Sequence, residues 1–323
     1  MGSLPHIVED CMGVLQLYSD GTVSRSDNIH FPFPITLDTS VVFRDVLYDA
    51  SHALHLRLYK PPSSSSSSSS SPTTNKKLPI LFFFHGGGFC VGSRSWPNSH
   101  NCCVRLALGL DALVIAPDYR LAPEHRLPAA VEDGVKAIEW VRKAGKLDEW
   151  IEESGDLKRV FVMGDSSGGN IAHHLAVRIG IENEKFGVRG FVLMAPFFGG
   201  VRRTKSEEGP AEQLFDLEAL DRFWRLSLPI GEDRDHPLAN PFGASSMSLE
   251  EVKLEPILVI VGGDEMLKDR AENYAKTLSQ LGKRIEYVEF EGKQHGFFTN
   301  SQDPQLGHQV IAIIKKFMLH NSV

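Results

Sequence analysis

The sequence of 323 residues predicts an α/β fold in which a mostly parallel central sheet is flanked by helices. Short continuous apolar runs, typical of strands buried on both faces, alternate along the chain with stretches of helical periodicity. Three of these runs end directly in glycine-rich, polar segments, which follow Phe84, Met163 and Val261. Because ligands of such sheets bind beyond the carboxyl ends of the strands, a functional site is expected there.

The individual elements follow from the same patterns. The predicted strands are Val41–Tyr48, Ala53–Tyr59, Leu78–Phe84, Ala112–Ala116, Val160–Met163, Phe191–Met194, Ile257–Val261 and 285–290. The predicted helices are 97–109, 129–144, 168–180, 268–282 and 305–319. We expect a single domain over residues 1–323, because strand-like sequence resumes directly after each interruption.

Two segments predict a cap over the site. Apolar residues at helix-like spacing in residues 7–17 predict an amphipathic N-terminal helix. Residues 200–250 interrupt the strand–helix alternation and read as an insertion between two strands. We expect this insertion and residues 1–25 to form the cap.

A tract of serines from Ser63 to Ser71 is flanked by prolines. Such a tract cannot bury enough apolar surface to offset its ordering entropy. It predicts a flexible surface loop over residues 61–77 rather than a domain boundary.

Composition excludes several classes of function. The net charge is −7 and the pI about 6.0, so neither a nucleic acid nor an anionic membrane surface is a favoured partner. Cys11, Cys90, Cys102 and Cys103 lack metal-ligand spacing and predict reduced, buried thiols. No segment resembles a signal peptide or a membrane span of about 18 apolar residues. We expect a protein of the cytoplasm, with the nucleus as a second location. It is expected to be a monomer or homodimer and to need no cofactor or metal.

The segment Gly164-Asp165-Ser166-Ser167-Gly168 matches the pattern G-x-S-x-G after a predicted strand and before a predicted helix. A hydroxyl is a weak nucleophile, so it must be exposed and held against a base. A tight strand–turn–helix connection projects a serine in this way. Ser166 is therefore the predicted nucleophile, against the simpler interpretation of a helix N-cap.

The segment His85-Gly86-Gly87-Gly88 also follows a predicted strand. Glycines let backbone N–H groups approach the oxyanion of a tetrahedral intermediate, and each such donor contributes roughly 3–4 kcal/mol. The predicted donors are the N–H groups of Gly87, Gly88 and Ser167. His85 is expected to support this loop.

The base is predicted to be His295, which lies in a loop after the last predicted strand and follows the nucleophile and the acid in chain order. His173 and His174 lie on the helix after Ser166 and are expected to pack or to face solvent. Three acids are candidates for the orienting carboxylate: Asp264, Glu265 and Asp269. Asp269 fits a structural role better, since it lies a turn into a predicted helix.

These motifs together resemble the hormone-sensitive-lipase group of esterases with the α/β-hydrolase fold, and most of all the plant class I carboxylesterases. Asp118-Tyr119-Arg120-Leu121-Ala122-Pro123-Glu124 is a further hallmark of that group, with an expected structural role. The group's acid motif, D-x-L-x-D, aligns with Leu267 and Asp269 and implies Glu265 as the acid, with Asp264 as the alternative.

The resemblance also implies a substrate. The chain is expected to hydrolyse small apolar carboxylic esters. The stretches 93–97, 223–229 and 239–243, with a glutamate as the acid, are similar to members that open the butenolide of strigolactone hormones. The expected pocket walls are Phe89, Trp96, Phe197, Phe223, Trp224 and Phe297. Two non-hydrolytic functions stay open: a hormone receptor, a class that lacks the catalytic histidine, and a dehydratase or cyclase.

Overall fold

The computed structural model describes residues 4–26, 31–36, 38–62, 77–144, 148–182, 187–212, 216–301 and 303–322. Within these residues the chain forms eleven strands and seven helices. The predicted serine loop falls on residues 63–76, which lie outside the described part of the chain.

Eight strands form the central sheet, in the order β11-β10-β9-β8-β6-β7-β5-β4. They are β4 (Val42–Asp49), β5 (Leu54–Lys60), β6 (Leu78–Phe84), β7 (Leu113–Pro117), β8 (Gly155–Asp165), β9 (Val188–Met194), β10 (Ile257–Gly262) and β11 (Ile285–Phe290). The pairs β4–β5 and β5–β7 are antiparallel, while the other five pairs in this sheet are parallel. The predicted mostly parallel α/β sheet is confirmed.

Helices cover both faces of the sheet. They are α1 (Pro97–Leu110), α2 (Ala129–Ala144), α3 (Glu149–Ser154), α4 (Ser167–Glu182), α5 (Leu217–Ser227), α6 (Lys268–Gln280) and α7 (Pro304–His320). Alternate residues of β6 point to opposite faces: Phe82 and Phe84 join the core beneath α2 and α4, while Leu81 and Phe83 join the core beneath α1 and α7. Short α3 had no counterpart among the predicted elements. All four cysteines are buried free thiols.

The predicted N-terminal helix is wrong. Residues 7–25 form a small antiparallel sheet of β1 (Ile7–Cys11), β2 (Leu15–Tyr18) and β3 (Val23–Arg25). Met12 and Gly13 adopt positive φ angles of 56° and 68°, and the resulting tight turn reverses the chain. This turn pairs buried Cys11 with buried Leu15, so apolar residues four positions apart lie opposite each other across a hairpin. Their spacing imitates one face of a helix.

The predicted insertion lies between β9 and β10 and contains α5. Asp216 caps α5 by accepting a hydrogen bond from the N–H of Ala219 at 2.7 Å. Glu9 of β1 pairs with both Arg222 and Arg225 of α5, at 3.2 and 2.8 Å. The N-terminal sheet and the insertion therefore pack against each other beside the carboxyl ends of the central strands.

Candidate active site

Ser166 lies at the turn between β8 and α4, in the left-handed backbone conformation with φ of 55°. Such a conformation costs a non-glycine residue about 1–3 kcal/mol, so the surroundings must hold it. The N–H of Ser166 donates to the carbonyl of Met194 at 2.8 Å, and its carbonyl accepts from the N–H of Phe197 at 2.9 Å. A Cβ at Gly168 would lie 2.0 Å from the carbonyl oxygen of Phe84, so only glycine permits this close helix–strand approach.

His295 lies in the loop that follows β11. Its Nε2 is 2.9 Å from Oγ of Ser166, which is hydrogen-bond distance. Burial lowers the pKa of His295 to about 4. The imidazole is therefore neutral at neutral pH, the form that can accept a proton.

The three candidate acids differ in burial. Oε2 of Glu265 lies 3.9 Å from Nδ1 of His295, and Glu265 is 2% exposed. The same oxygen accepts the N–H of Gly262 at 3.1 Å. Asp264 is exposed. Asp269 lies in the first turn of α6, where it accepts the N–H of Ser206 at 2.9 Å.

Burial raises the pKa of Glu265 well above its usual value. For Glu265 and for His295, burial therefore disfavours the charged form when the other group is neutral. Opposite charges on the two groups favour each other, because each compensates the other inside the protein.

The glycine loop after β6 lies against the serine. A Cβ at Gly86 would be 3.2 Å from Cβ of Ser166. Gly87 and Gly88 have φ angles of 115° and 58°, and Ser167 is the first residue of α4. Their N–H groups thus belong to backbone segments that flank the serine, and the N-terminus of α4 favours negative charge at this place.

The glycine loop is held in place by residues for which the sequence predicts a structural role, namely His85 and the Asp118–Glu124 hallmark. Nδ1 of His85 lies 2.8 Å from the carbonyl oxygen of Gly86. The His85 ring stacks on Tyr119, with ring centroids 4.3 Å apart. The Tyr119 hydroxyl donates to the carbonyl of His85 at 2.9 Å, so the Asp118–Glu124 hallmark supports the glycine loop.

Four of the six expected wall residues come together beside this loop. Phe197 stacks on Trp224 with ring centroids 4.3 Å apart, and Phe89 lies 6.1 Å from Phe197. The ring of Phe223 covers Gly88, where a Cβ would lie 2.3 Å from Cγ of Phe223.

The other two expected wall residues pair with different aromatic rings. Trp96 pairs with Phe31, and Phe297 pairs with Phe290, with ring centroids 5.4 and 5.2 Å apart. Neither ring makes an aromatic contact with the group around Phe197 among the contacts of the described residues.

Sequence reasoning missed two buried polar side chains near the site. The Thr299 hydroxyl donates to Asp165 at 2.9 Å and so ties the histidine loop to the serine turn. The Glu212 carboxylate accepts the N–H groups of Met266 and His295. Neither residue belongs to a motif or to a periodic pattern that could have marked it.

The remaining histidine candidates lie away from the serine. Nδ1 of His173 is 2.9 Å from the Tyr274 hydroxyl, and Nε2 of His174 is 3.2 Å from the carbonyl oxygen of Leu238. Burial lowers the pKa of both imidazoles. They serve packing, as expected.

The described residues contain no group of three or more histidine, cysteine or acidic side chains placed to hold a metal ion. Among the helices of the same residues, none has both the length and the apolar character needed to cross a membrane.

The family of proteins with the α/β-hydrolase fold matches residues 81–299, which is more than half of the chain. The chain belongs to this family. A 3-O-acetylpapaveroxine carboxylesterase of Papaver somniferum is 37% identical over 302 residues, covering 90% of this chain and 93% of that relative. A gibberellin receptor of Arabidopsis thaliana is 39% identical over 198 residues, or 61% of this chain and 56% of the receptor.

Solved structures agree with this assignment. An esterase of Pyrobaculum calidifontis superposes with a TM-score of 0.71 at 30% identity, over 88% of this chain and 86% of the esterase. Together the relatives identify the chain as a carboxylic ester hydrolase, similar to the plant carboxylesterases of the hormone-sensitive-lipase-like group.

The first prediction follows from the close contact between Gly88 and Phe223. Gly88→Ala is expected to lower kcat/KM for a p-nitrophenyl ester by about 10²–10³-fold, because the new methyl group would displace the N–H of Gly88, which the sequence predicts as an oxyanion donor. Combining it with Phe223→Ala should recover part of the loss. Gly231→Ala is the control, since Gly231 has a φ of 89° but nothing within 4 Å of its Cβ. A Gly88→Ala enzyme with wild-type kcat/KM would contradict the account.

Proposed function

We propose that this protein hydrolyses small apolar carboxylic esters through a triad of Ser166, His295 and Glu265. The observation that carries the proposal is the 2.9 Å contact between Nε2 of His295 and Oγ of a serine held at positive φ. A largely buried, neutral imidazole at this distance is suited to take the hydroxyl proton.

In the proposed mechanism Oγ of Ser166 attacks the ester carbonyl while Nε2 of His295 takes its proton. The N–H groups of Gly87, Gly88 and Ser167 stabilise the oxyanion of the tetrahedral intermediate. The C–O bond to the alcohol then breaks, and the alcohol leaves with the proton from His295. Water attacks the acyl-enzyme by the same route and releases the carboxylic acid.

Glu265 is the proposed acid. Its burial and its 3.9 Å separation from Nδ1 of His295 favour it over exposed Asp264. The separation is longer than a hydrogen bond, and catalytic contacts of this kind often tighten only when substrate is bound. Its negative charge would stabilise the imidazolium that forms during each proton transfer.

For the substrate, we propose an apolar ester and, within that class, a butenolide of the strigolactone type. The aromatic group of Phe89, Phe197, Phe223 and Trp224 supports an apolar ligand beside the glycine loop. The hormone assignment rests on the similarity of stretches 93–97, 223–229 and 239–243 and on a glutamate in the acid position.

The second prediction separates hydrolysis from binding alone. Purified protein should release p-nitrophenol from short acyl esters, and Ser166→Ala should abolish the release because the nucleophile is lost. Ser167→Ala is the control, because it keeps the backbone N–H that is proposed to hold the oxyanion. Tight hormone binding without turnover would instead favour a receptor, the function named for the gibberellin relatives.

Mass spectrometry of the products from a strigolactone analogue completes this test. After hydrolysis, the masses of the two products sum to the mass of the analogue plus one water. A dehydratase or cyclase would add no water to its product. Recovery of the unchanged analogue, while simple esters are hydrolysed, would reject the hormone assignment and retain the esterase.

The third prediction concerns the acid. Glu265→Ala should lower kcat by on the order of 10⁴-fold, the loss that follows removal of the orienting carboxylate in serine proteases. Asp264→Ala, the adjacent and exposed control, should keep kcat within about twofold of wild type. An inactive Asp264→Ala enzyme beside a nearly wild-type Glu265→Ala enzyme would reverse the assignment.

A further inference from the structure

Glu212 joins the two loops that carry Glu265 and His295. Its Oε1 accepts the backbone N–H of Met266 at 2.6 Å, and its Oε2 accepts the backbone N–H of His295 at 2.5 Å. The residue is 9% exposed. It belongs to neither loop, because it lies in the inserted segment between β9 and α5.

The two bonds act on the atoms that place the catalytic side chains. One bond holds the residue after Glu265, and the other holds the main chain of His295 itself. The loops are also linked directly, from the N–H of Asp264 to the carbonyl of Lys293 at 3.0 Å. Glu212 adds to this link a side chain that holds both loops at Met266 and His295.

Placing a carboxylate here is unfavourable in itself. Burial raises the pKa of Glu212, and the hydrogen bonds from the backbone N–H groups of His295 and Met266 oppose that shift. Glu212 also lies close enough to Glu265 for its charge to raise the pKa of Glu265. Two buried carboxylates side by side cost stability, which a purely apolar contact between the segments would avoid.

We propose that Glu212 is a positioning residue whose carboxylate fixes both loops and so sets the placement of His295 relative to Glu265 and Ser166. This inference rests on the proposed triad. It makes the inserted segment part of the machinery that aligns the base, in addition to covering the site. A misplacement of about 1 Å in such an alignment can cost on the order of 10²-fold in rate.

The test compares Glu212→Ala and Glu212→Gln with Glu208→Ala, an exposed control in the same segment. We expect Glu212→Ala to lower kcat for p-nitrophenyl acetate by about 10- to 100-fold, with KM changed less than about threefold. Glu212→Gln should lose less, because its amide oxygen still accepts one N–H. Glu208→Ala should match the wild type in both constants.

A spectroscopic signature separates positioning from stability. The Nδ1 proton of His295, which the packed loop shields from exchange with water, should give a resonance in the wild type and Glu208→Ala. This resonance should be lost in Glu212→Ala at a temperature where circular dichroism shows that the variant is folded. A folded Glu212→Ala enzyme with kcat within about twofold of wild type would overturn the proposal. If that variant does not fold, Glu212→Gln decides: it should still lower kcat more than about twofold, because one of the two N–H groups loses its acceptor, and a smaller change would overturn the proposal.

Failure of the esterase proposal would be recognisable separately. In that case the wild type itself would not hydrolyse the ester, and Ser166→Ala would make no difference. The resonance would then be the remaining test of Glu212: its retention in folded Glu212→Ala overturns the inference, and its loss supports it.

Discussion

The strained backbone of Ser166 is the constraint on which the rest of the site depends. The carbonyl of Met194 and the N–H of Phe197 hold the peptide groups of Ser166 and so stabilise its φ of 55°. These bonds come from the end of β9, so the neighbouring parallel strand is part of the turn. The same turn starts α4 and directs Oγ towards Nε2 of His295.

The segments outside the central sheet contact the loops of the site at two places. Phe223 of α5 covers Gly88 of the glycine loop, and Glu212 holds the loops that carry His295 and Glu265. Glu9 of β1 in turn pairs with two arginines of α5. The N-terminal sheet, the insertion and the site therefore form one connected set of contacts.

Sequence reasoning succeeded where the determining pattern is local. Strand β6 and helix α2 have the predicted bounds, because continuous apolar runs and helical periodicity are properties of neighbouring residues. It failed at Cys11 and Leu15, whose spacing fits a helix and a hairpin equally well. It could not find Glu212, whose partners lie 54 and 83 positions away, and it could not rank Glu265 and Asp264 by burial. Such contacts depend on the folded chain.

The pH dependence of serine labelling tests the central claim, that a largely buried, neutral His295 activates Ser166. Burial lowers the pKa of His295 to about 4, so the reactive neutral form is present above that pH and is lost as the pH falls through it. A p-nitrophenyl phosphonate should therefore modify Ser166 at a rate whose acid limb has its midpoint well below 6.5, near 4, with the adduct located by peptide mass spectrometry. An acid limb centred at 6.5 or above, or an adduct on another residue, would contradict the account.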